Sequence, residues 1–298
     1  MQDRSHLLTE QRLADSMSLD QMTIPHALAL MSAQDAIAVQ AVAAVRDDVA
    51  RAIELVVTAL SNNGRLFYIG AGTSGRLGVL DASECPPTFR TDPEMIQGII
   101  AGGEQAMFRS QEGAEDSTEQ GATAIAQKNL TDRDVLIGIA AGGTTPFVHG
   151  ALRAARERGG KTVFLTCVAR LENEPTVDVV IRPLTGPEVL TGSTRLKAGT
   201  ATKLILNQIT TLAMVQLGKC YENLMVDLRA TNSKLWDRGA RIVATITGLD
   251  RDTSLALLKR ADGHVKTAIV MQQRKVGRSE AISLLDNSQG RLRDALNR

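Results

Sequence analysis

Residues 65–75 read Arg-Leu-Phe-Tyr-Ile-Gly-Ala-Gly-Thr-Ser-Gly, and this stretch decides how the remaining chain is interpreted. Leu66–Ile69 is a continuous apolar run with the length of a buried strand. Gly70 and Gly72 allow a tight turn, and residues 73–75 then open a helix. The free N–H groups of a helix N-terminus attract anions, so the pattern predicts a phosphate-binding loop in an enzyme that acts on a phosphorylated small molecule.

Short apolar runs alternate with helical stretches after this first loop. The runs of strand length are 66–69, 95–100, 135–140, 163–167 and 177–181. Their alternation with helices predicts an α/β fold with a mainly parallel sheet of five strands, covered by helices on both faces. Helical spacing also predicts helices across 24–60, and short helices such as Ser254–Arg260 and Ser279–Leu285 form a small terminal unit.

The carboxyl ends of parallel strands collect ligands, and two loops fall there. The first loop, Gly70–Gly75, matches the G-x-G-x-x-G pattern of dinucleotide-binding folds. The run 95–100 does not end on the acid that would bind a ribose, which favours a phosphomonoester over a dinucleotide. A plain structural turn is the other explanation. The second loop, Ala140–Pro146, repeats the arrangement of strand, glycine and hydroxyl groups, which strengthens the ligand-binding interpretation.

Helix capping is an alternative explanation for the hydroxyl groups of the second loop, since either Thr144 or Thr145 is a suitable N-cap before a proline. Residues 191–200 bring further hydroxyl groups and two cations to the start of a long helix, for which Ser193 or Thr194 is the expected cap. This start is either a second anion-binding helix end or a solvated one.

Composition excludes several classes of partner. The 298 residues carry 34 basic and 33 acidic side chains, a formal net charge of +1, with no basic arm for nucleic acid or membrane. The N-terminus lacks an apolar signal core, and no run of about 18 uncharged apolar residues occurs, so we expect a cytoplasmic protein. The cysteines, Cys85, Cys167 and Cys220, and the histidines lack metal-ligand spacing, which predicts reduced thiols and no metal site.

Three segments resemble the N-acetylmuramic acid 6-phosphate etherase family: Tyr68–Phe89, Glu112–Ser117 and Thr191–Lys203. Within the first, Gly-Thr-Ser-Gly-Arg-Leu-Gly followed by Ser-Glu-Cys-Pro-Pro-Thr-Phe is far more specific than the glycine loop alone. The similarity covers nearly the whole chain, from Leu8–Arg12 to Lys266–Met271.

This resemblance implies a sugar isomerase (SIS) domain with a flavodoxin-like sheet, acting as a homodimer in bacterial cell-wall recycling. The implied domains are a helical lead-in at 1–54, the phosphosugar-binding SIS domain at 55–222 and a C-terminal helical region at 223–298. The implied reaction cleaves the D-lactyl ether of N-acetylmuramic acid 6-phosphate and releases N-acetylglucosamine 6-phosphate and D-lactate.

The resemblance also implies roles for individual residues. Glu84 corresponds to the acid that protonates the departing lactate, and Glu115 to the base that takes the C2 proton. No cofactor, metal or covalent nucleophile is expected. The residues expected to bind the substrate are Gly72, Thr73, Ser74, Ser83, Gly143, Thr145, Glu188, Ser193 and Lys197.

The sequence departs from the family pattern at the second loop, where Gly142 replaces a serine and Thr144 an arginine, and after the fourth strand, where Cys-Val-Ala stands for Cys-Asn-Pro. Lost donors beside the ligand leave two other functions open. One is a phosphosugar-sensing regulatory protein without catalysis, as in the related glucokinase regulatory protein. The other is an aldose-ketose isomerase, which shares C2 proton abstraction but does not need the motif around Glu84.

Overall fold

The computed structural model describes residues 7–297, which form two compact units. The first unit contains the described chain up to Ser83 together with Pro93–Thr210. The second contains Glu84–Asp92 and the described chain from Thr211 onward. The domain limits at residues 54 and 222 stay predictions.

The first unit is built on a sheet of five parallel strands with the order β2-β1-β3-β4-β5. Its strands are β1 (Leu66–Gly70), β2 (Ile96–Ile100), β3 (Val135–Ile139), β4 (Lys161–Leu165) and β5 (Val179–Ile181). Each lies within or overlaps a predicted run, so the α/β sheet prediction is confirmed. Every residue of β1 and β3 is buried, which explains why their sequences are apolar without alternation.

Helices accompany the sheet in the first unit. They are α1 (Ile24–Ala44), α2 (Arg46–Ser61), α3 (Gly72–Phe89), α4 (Thr118–Gln127), α5 (Pro146–Glu157) and α6 (Lys197–Gln216), of which α3 and α6 continue into the second unit. Successive residues of β3 point to opposite faces of the sheet, and the helix that each one contacts differs. A Cβ built on Gly138 would lie 2.8 Å from Leu152 of α5, whereas a Cβ built on Gly78 of α3 would lie 3.7 Å from Ile139. Helices therefore cover both faces of the sheet, as predicted.

The first unit is stabilised by close packing of two helices and by a salt bridge at the amino ends of two strands. Helices α4 and α5 pack closely through Gly121 and Gly150, where an added Cβ would come within 1.9 Å and 2.0 Å of backbone oxygens of the facing helix. At the amino ends of β1 and β3, Arg65 forms a salt bridge with Asp134 at 2.8 Å. Burial opposes ionisation of Asp134, but the hydrogen bonds from Arg65 and Thr131 outweigh it and lower its pKa.

Helix α1 carries several exposed apolar side chains. Ile24, Leu28 and Val39 are 76%, 58% and 55% exposed. By length and composition α1 resembles a membrane span, with a mean hydropathy of 1.4 over its most apolar window. Asp35 interrupts this window, in agreement with the absence of an uncharged run.

The second unit is helical apart from a short hairpin of β6 (Cys220–Tyr221) and β7 (Leu224–Met225). Its further helices are α7 (Ser233–Thr247), α8 (Arg251–Arg260), α9 (Val265–Arg274), α10 (Arg278–Asn287) and α11 (Leu292–Asn297). The predicted short helices lie inside α8 and α10 and are confirmed. The side chain of Asn232 caps α7 and that of Asp250 caps α8.

Candidate active site

The first loop has the predicted form of strand, tight turn and helix start. A Cβ on Gly75 would lie 2.6 Å from the oxygen of Gly70 and 2.6 Å from Ile100, so only glycine lets α3 begin this close to the strand ends. Gly72 adopts a φ of +52°, with nothing within 4 Å of an added Cβ. The half-buried Thr73 and Ser74 lie in the first turn of α3, where backbone N–H groups lack helical partners.

The start of α6 lies beside this loop. A Cβ on Gly199 would lie 3.6 Å from Cγ2 of Thr73. The predicted cap is wrong, because α6 begins at Lys197 and its first donors bond to a different residue. The buried carboxylate of Glu188 accepts from the backbone N–H groups of Lys197 and Ala198, both at 3.0 Å. A carboxylate already occupies this helix end, so the open anion-binding end in this region is that of α3.

The other residues predicted near α6 have structural partners. The Lys197 side chain is buried and its Nζ donates to Oε1 of Gln34 in α1. Burial lowers the pKa of Lys197, while the charges of Glu188 and Asp35 act in the opposite direction. Ser193 is half-buried in the turn before α6, and its N–H donates to the oxygen of Leu190 at 3.0 Å. Contact of Lys197, Glu188 and Ser193 with a substrate stays a prediction.

The second loop leads into α5 without side-chain capping. Thr145 occupies the N-cap position, its side chain makes no capping hydrogen bond, and Pro146 is the first helical residue. Helix capping therefore does not explain why a hydroxyl residue stands at position 145. Gly143 needs its positive φ of +75°, and its oxygen lies 2.9 Å from Nε2 of His149.

The structure brings Glu115 to the start of α5 and to the first loop. The N–H of Phe147 donates to the backbone oxygen of Glu115 at 3.0 Å. Glu115 itself is exposed and lines a cavity of 130 Å³ together with Gly72 and Arg76. The guanidinium of Arg76 donates to the oxygens of Ala106 and Met107, which shapes one wall of the cavity.

Glu84 and Ser83 lie further along α3. Glu84 is exposed, ten residues or nearly three helical turns after Ser74, and belongs to the second unit. Ser83 is exposed and its Oγ donates to the oxygen of Leu80 at 2.8 Å. Neither residue lines the cavity at Glu115.

Sequence reasoning missed a polar network that holds α3. Asp81 of α3 is buried and accepts hydrogen bonds from Tyr68 of β1 at 2.9 Å and from Asn207 of α6 at 2.8 Å. Thr210 of α6 also donates to Asp81, at 3.3 Å. Burial raises the pKa of Asp81, although its hydrogen bonds favour the ionised form. These bonds connect α3, α6 and β1 below the first loop.

A second missed residue is Thr9, in the turn that begins the described chain. Its oxygen accepts from the N–H of Gly192 at 3.2 Å, and its own hydroxyl is buried without a hydrogen-bond partner among the described residues. A Cβ on Gly142 would lie 3.7 Å from that hydroxyl. The N-terminal turn thus connects the second loop to the segment before α6. The family-like stretch Leu8–Arg12 was the available signal.

The described residues contain no group of three or more His, Cys, Asp or Glu side chains that could hold a metal ion. Within 7–297, Cys85 and Cys167 are buried, Cys220 is partly buried, and none of the three forms a disulfide. Burial raises the pKa of Cys167 to about 12, so this thiol is not a nucleophile at neutral pH.

We compared the chain with protein-family models and with solved structures. The model of the glucokinase regulatory protein N-terminal SIS domain matches residues 48–156. In structure, phosphoheptose isomerase GmhA from Neisseria gonorrhoeae is 18% identical, with a TM-score of 0.46 over 64% of this chain and 99% of that one.

Full-length relatives are much closer in sequence. N-acetylmuramic acid 6-phosphate etherases from Crocosphaera subtropica and Synechocystis sp. are each 52% identical over 296 residues, covering 99% of this chain and 97% of theirs. Identity at this level over the whole length does not depend on the glycine loop alone. The chain therefore belongs to the N-acetylmuramic acid 6-phosphate etherase family.

Proposed function

We propose that this protein is a carbon-oxygen lyase that cleaves the D-lactyl ether of N-acetylmuramic acid 6-phosphate, giving N-acetylglucosamine 6-phosphate and D-lactate. The observation that carries the proposal is the cavity shared by Gly72 of the first loop and Glu115, a carboxylate beside an open helix N-terminus. Relatives that share 52% of the sequence over almost the whole chain carry the name of this etherase.

Phosphate recognition is local in this proposal. The phosphate lies at the N-terminus of α3, where backbone N–H groups and the hydroxyls of Thr73 and Ser74 face it. Loop backbone and hydroxyls provide this interaction without a cationic surface, in keeping with a formal net charge of +1. Gly143 and Thr145 border the same end of the sheet and contact the sugar.

The reaction needs one ionised and one protonated carboxyl group. Opening of the sugar exposes the C1 aldehyde, which makes the C2 hydrogen acidic. Glu115 takes this proton as base, and the electron pair of the C2–H bond forms the C2–C3 double bond. The C3–O bond breaks, and Glu84 gives its proton to the departing lactate oxygen. Water then adds at C3, with a proton returning to C2 as the same pair reverses roles.

We also propose a cytoplasmic homodimer. Apolar side chains of α1, among them Ile24, Leu28 and Val39, lie exposed on the first unit. A second copy of the chain is the occupant that would bury this surface in a two-fold interface. Light scattering at micromolar concentration tests the assembly, and a monomer there contradicts it.

The decisive experiment is incubation with N-acetylmuramic acid 6-phosphate in water enriched in oxygen-18, followed by mass analysis of both products. Release of lactate separates catalysis from a sensor that only binds the phosphosugar. Elimination across C2 and C3 predicts one heavy oxygen at sugar C3 and none in the lactate hydroxyl. Label in the lactate hydroxyl would mean attack on the lactyl carbon, and the proposed mechanism would be wrong.

A further inference from the structure

A groove of 560 Å³ lies along the exposed side of α5, with His149, Arg153 and Arg156 on one wall and Asn173 and Glu174 on the other. It shares no lining residue with the cavity at Glu115. Its volume lies within the range of small-molecule sites in proteins. Nothing in the proposed etherase reaction uses it.

The cations of the groove are not neutralised by its acids. Arg153 and Arg156 are exposed and form no salt bridge in the described chain. Glu174 is paired on both carboxylate oxygens with Arg182 at 2.8 Å, so a guanidinium outside the groove lining already balances its charge. Glu157 is then the one remaining acid in the lining, against two guanidinium groups.

The wall that faces the arginines is rigid. Glu174 also accepts from the backbone N–H of Leu171 at 2.9 Å, and Arg182 donates to the oxygen of Val168 at 2.8 Å. Pro175 further restricts this segment. These hydrogen bonds hold the groove open before a ligand binds, so binding costs little conformational entropy in this wall.

We propose that this groove binds a small organic phosphate, with Arg153 and Arg156 holding its phosphoryl group. Two neighbouring guanidinium groups on one helix face suit the tetrahedral oxygens of phosphate, because each arginine donates in a planar fork. Asn173 and Thr176 supply amide and hydroxyl groups for the organic part. Through its 2.9 Å contact with the oxygen of Gly143, His149 connects the groove to the second loop.

The test uses the full chain with inorganic phosphate and with ribose 5-phosphate as probes, followed by NMR of the arginine Nε–Hε groups. Signals that vanish in Arg153→Gln and Arg156→Gln identify the groove. We expect both probes to shift these signals, ribose 5-phosphate at lower concentration, and each single variant to weaken groove binding about tenfold or more, as read from the signal of the remaining arginine. Arg158→Gln, a change at the C-cap of α5 and outside the groove lining, is the control and leaves binding unchanged.

Unmoved Arg153 and Arg156 signals, or equal weakening in Arg158→Gln, would overturn the proposal. Equal affinity for the two probes would show that the groove does not recognise the organic part of the ligand. Because the readout is site-resolved binding, it is independent of the etherase reaction. If lactate were not released, the result for the groove would still hold. If the groove bound no phosphate, the result for lactate release would still hold.

Discussion

The hydroxyl of Thr9, which has no hydrogen-bond partner within residues 7–297, gives the most precise prediction about the second loop. Gly142 lies opposite this hydroxyl, with no other atom of the described chain within 4 Å of an added Cβ, and its φ lies outside the left-handed region. A serine at 142 would therefore fit without strain. With its Cβ 3.7 Å from Oγ1 of Thr9, a serine Oγ directed toward Thr9 comes within hydrogen-bond distance.

Two effects stabilise Gly142→Ser. A residue other than glycine reduces the freedom of the unfolded chain, worth about 0.4–1 kcal/mol at a compatible φ. Pairing a buried hydroxyl that otherwise lacks a partner recovers part of its desolvation cost of about 1–3 kcal/mol. Gly142→Ala supplies only the first effect, so the free energy of unfolding should rise from wild type to alanine and again, by about 1 kcal/mol or more, to serine.

Denaturant unfolding, followed by a probe in the first unit, measures these differences, because the two units need not unfold in one transition. A double-mutant cycle with Thr9→Val isolates the hydrogen bond. The advantage of serine over alanine should vanish when Thr9 is valine. Thr9→Val alone should be neutral or stabilising, since it removes a buried hydroxyl that has no partner.

Two outcomes would refute this reasoning. If serine and alanine at 142 were equally stable, no hydrogen bond to Thr9 would form. If serine kept its advantage in the Thr9→Val background, the gain would come from another partner.

Three further predictions concern the carboxylates. Asp134→Asn should destabilise the first unit by about 1.5–3 kcal/mol in urea unfolding at pH 7, because Arg65 is partly exposed and keeps its bonds to Lys128 and Asn129. Because the folded pKa of Asp134 is lowered, the difference from wild type should persist above its unfolded pKa of about 4 and disappear as pH falls through the folded pKa. Glu188→Gln should cost about 1.5–3 kcal/mol, measured in the same way, since it removes a charge that accepts two N–H groups of α6. The Glu84→Gln variant should still exchange the C2 hydrogen for solvent deuterium without releasing lactate, whereas the Glu115→Gln variant should lose both exchange and lactate release. Mass spectrometry measures both activities, and the opposite pattern would exchange the roles of the two residues.

The fold was predictable because its signals are local. Strands β1, β3 and β5 are uninterrupted apolar runs, and the first loop carries its glycines where backbone approach demands them, as Gly75 against Gly70 demonstrates. The cap of α6 was not predictable in this way. Glu188 lies nine residues before the N–H group of Lys197 that it binds, and local capping rules consider only neighbours of the helix start.

The polar contacts that position the site depend on tertiary structure. Asp81 reads as an ordinary helix residue, yet its partners Tyr68 and Asn207 lie 13 and 126 residues away in sequence. Thr9 and Gly142 are similarly remote. No spacing rule joins such pairs, so the sequence supports predictions of which loops bind and which acids react, but not of how α3 and the second loop are held in place.

The position of Glu115 links proton abstraction to the second loop. Its carboxylate is exposed, but its backbone oxygen takes one of the donors at the start of α5, the N–H of Phe147, that no helical carbonyl satisfies. Pro146, with its fixed φ, orients that donor. A change in the second loop that moves the start of α5 therefore moves the proposed base, while the first loop keeps its own support through Gly75 and Asp81. Substitutions at Gly143, where an added Cβ would lie 2.9 Å from Val168 and 3.0 Å from Leu171, should accordingly change the rate of deuterium exchange at C2 more than the affinity for phosphate.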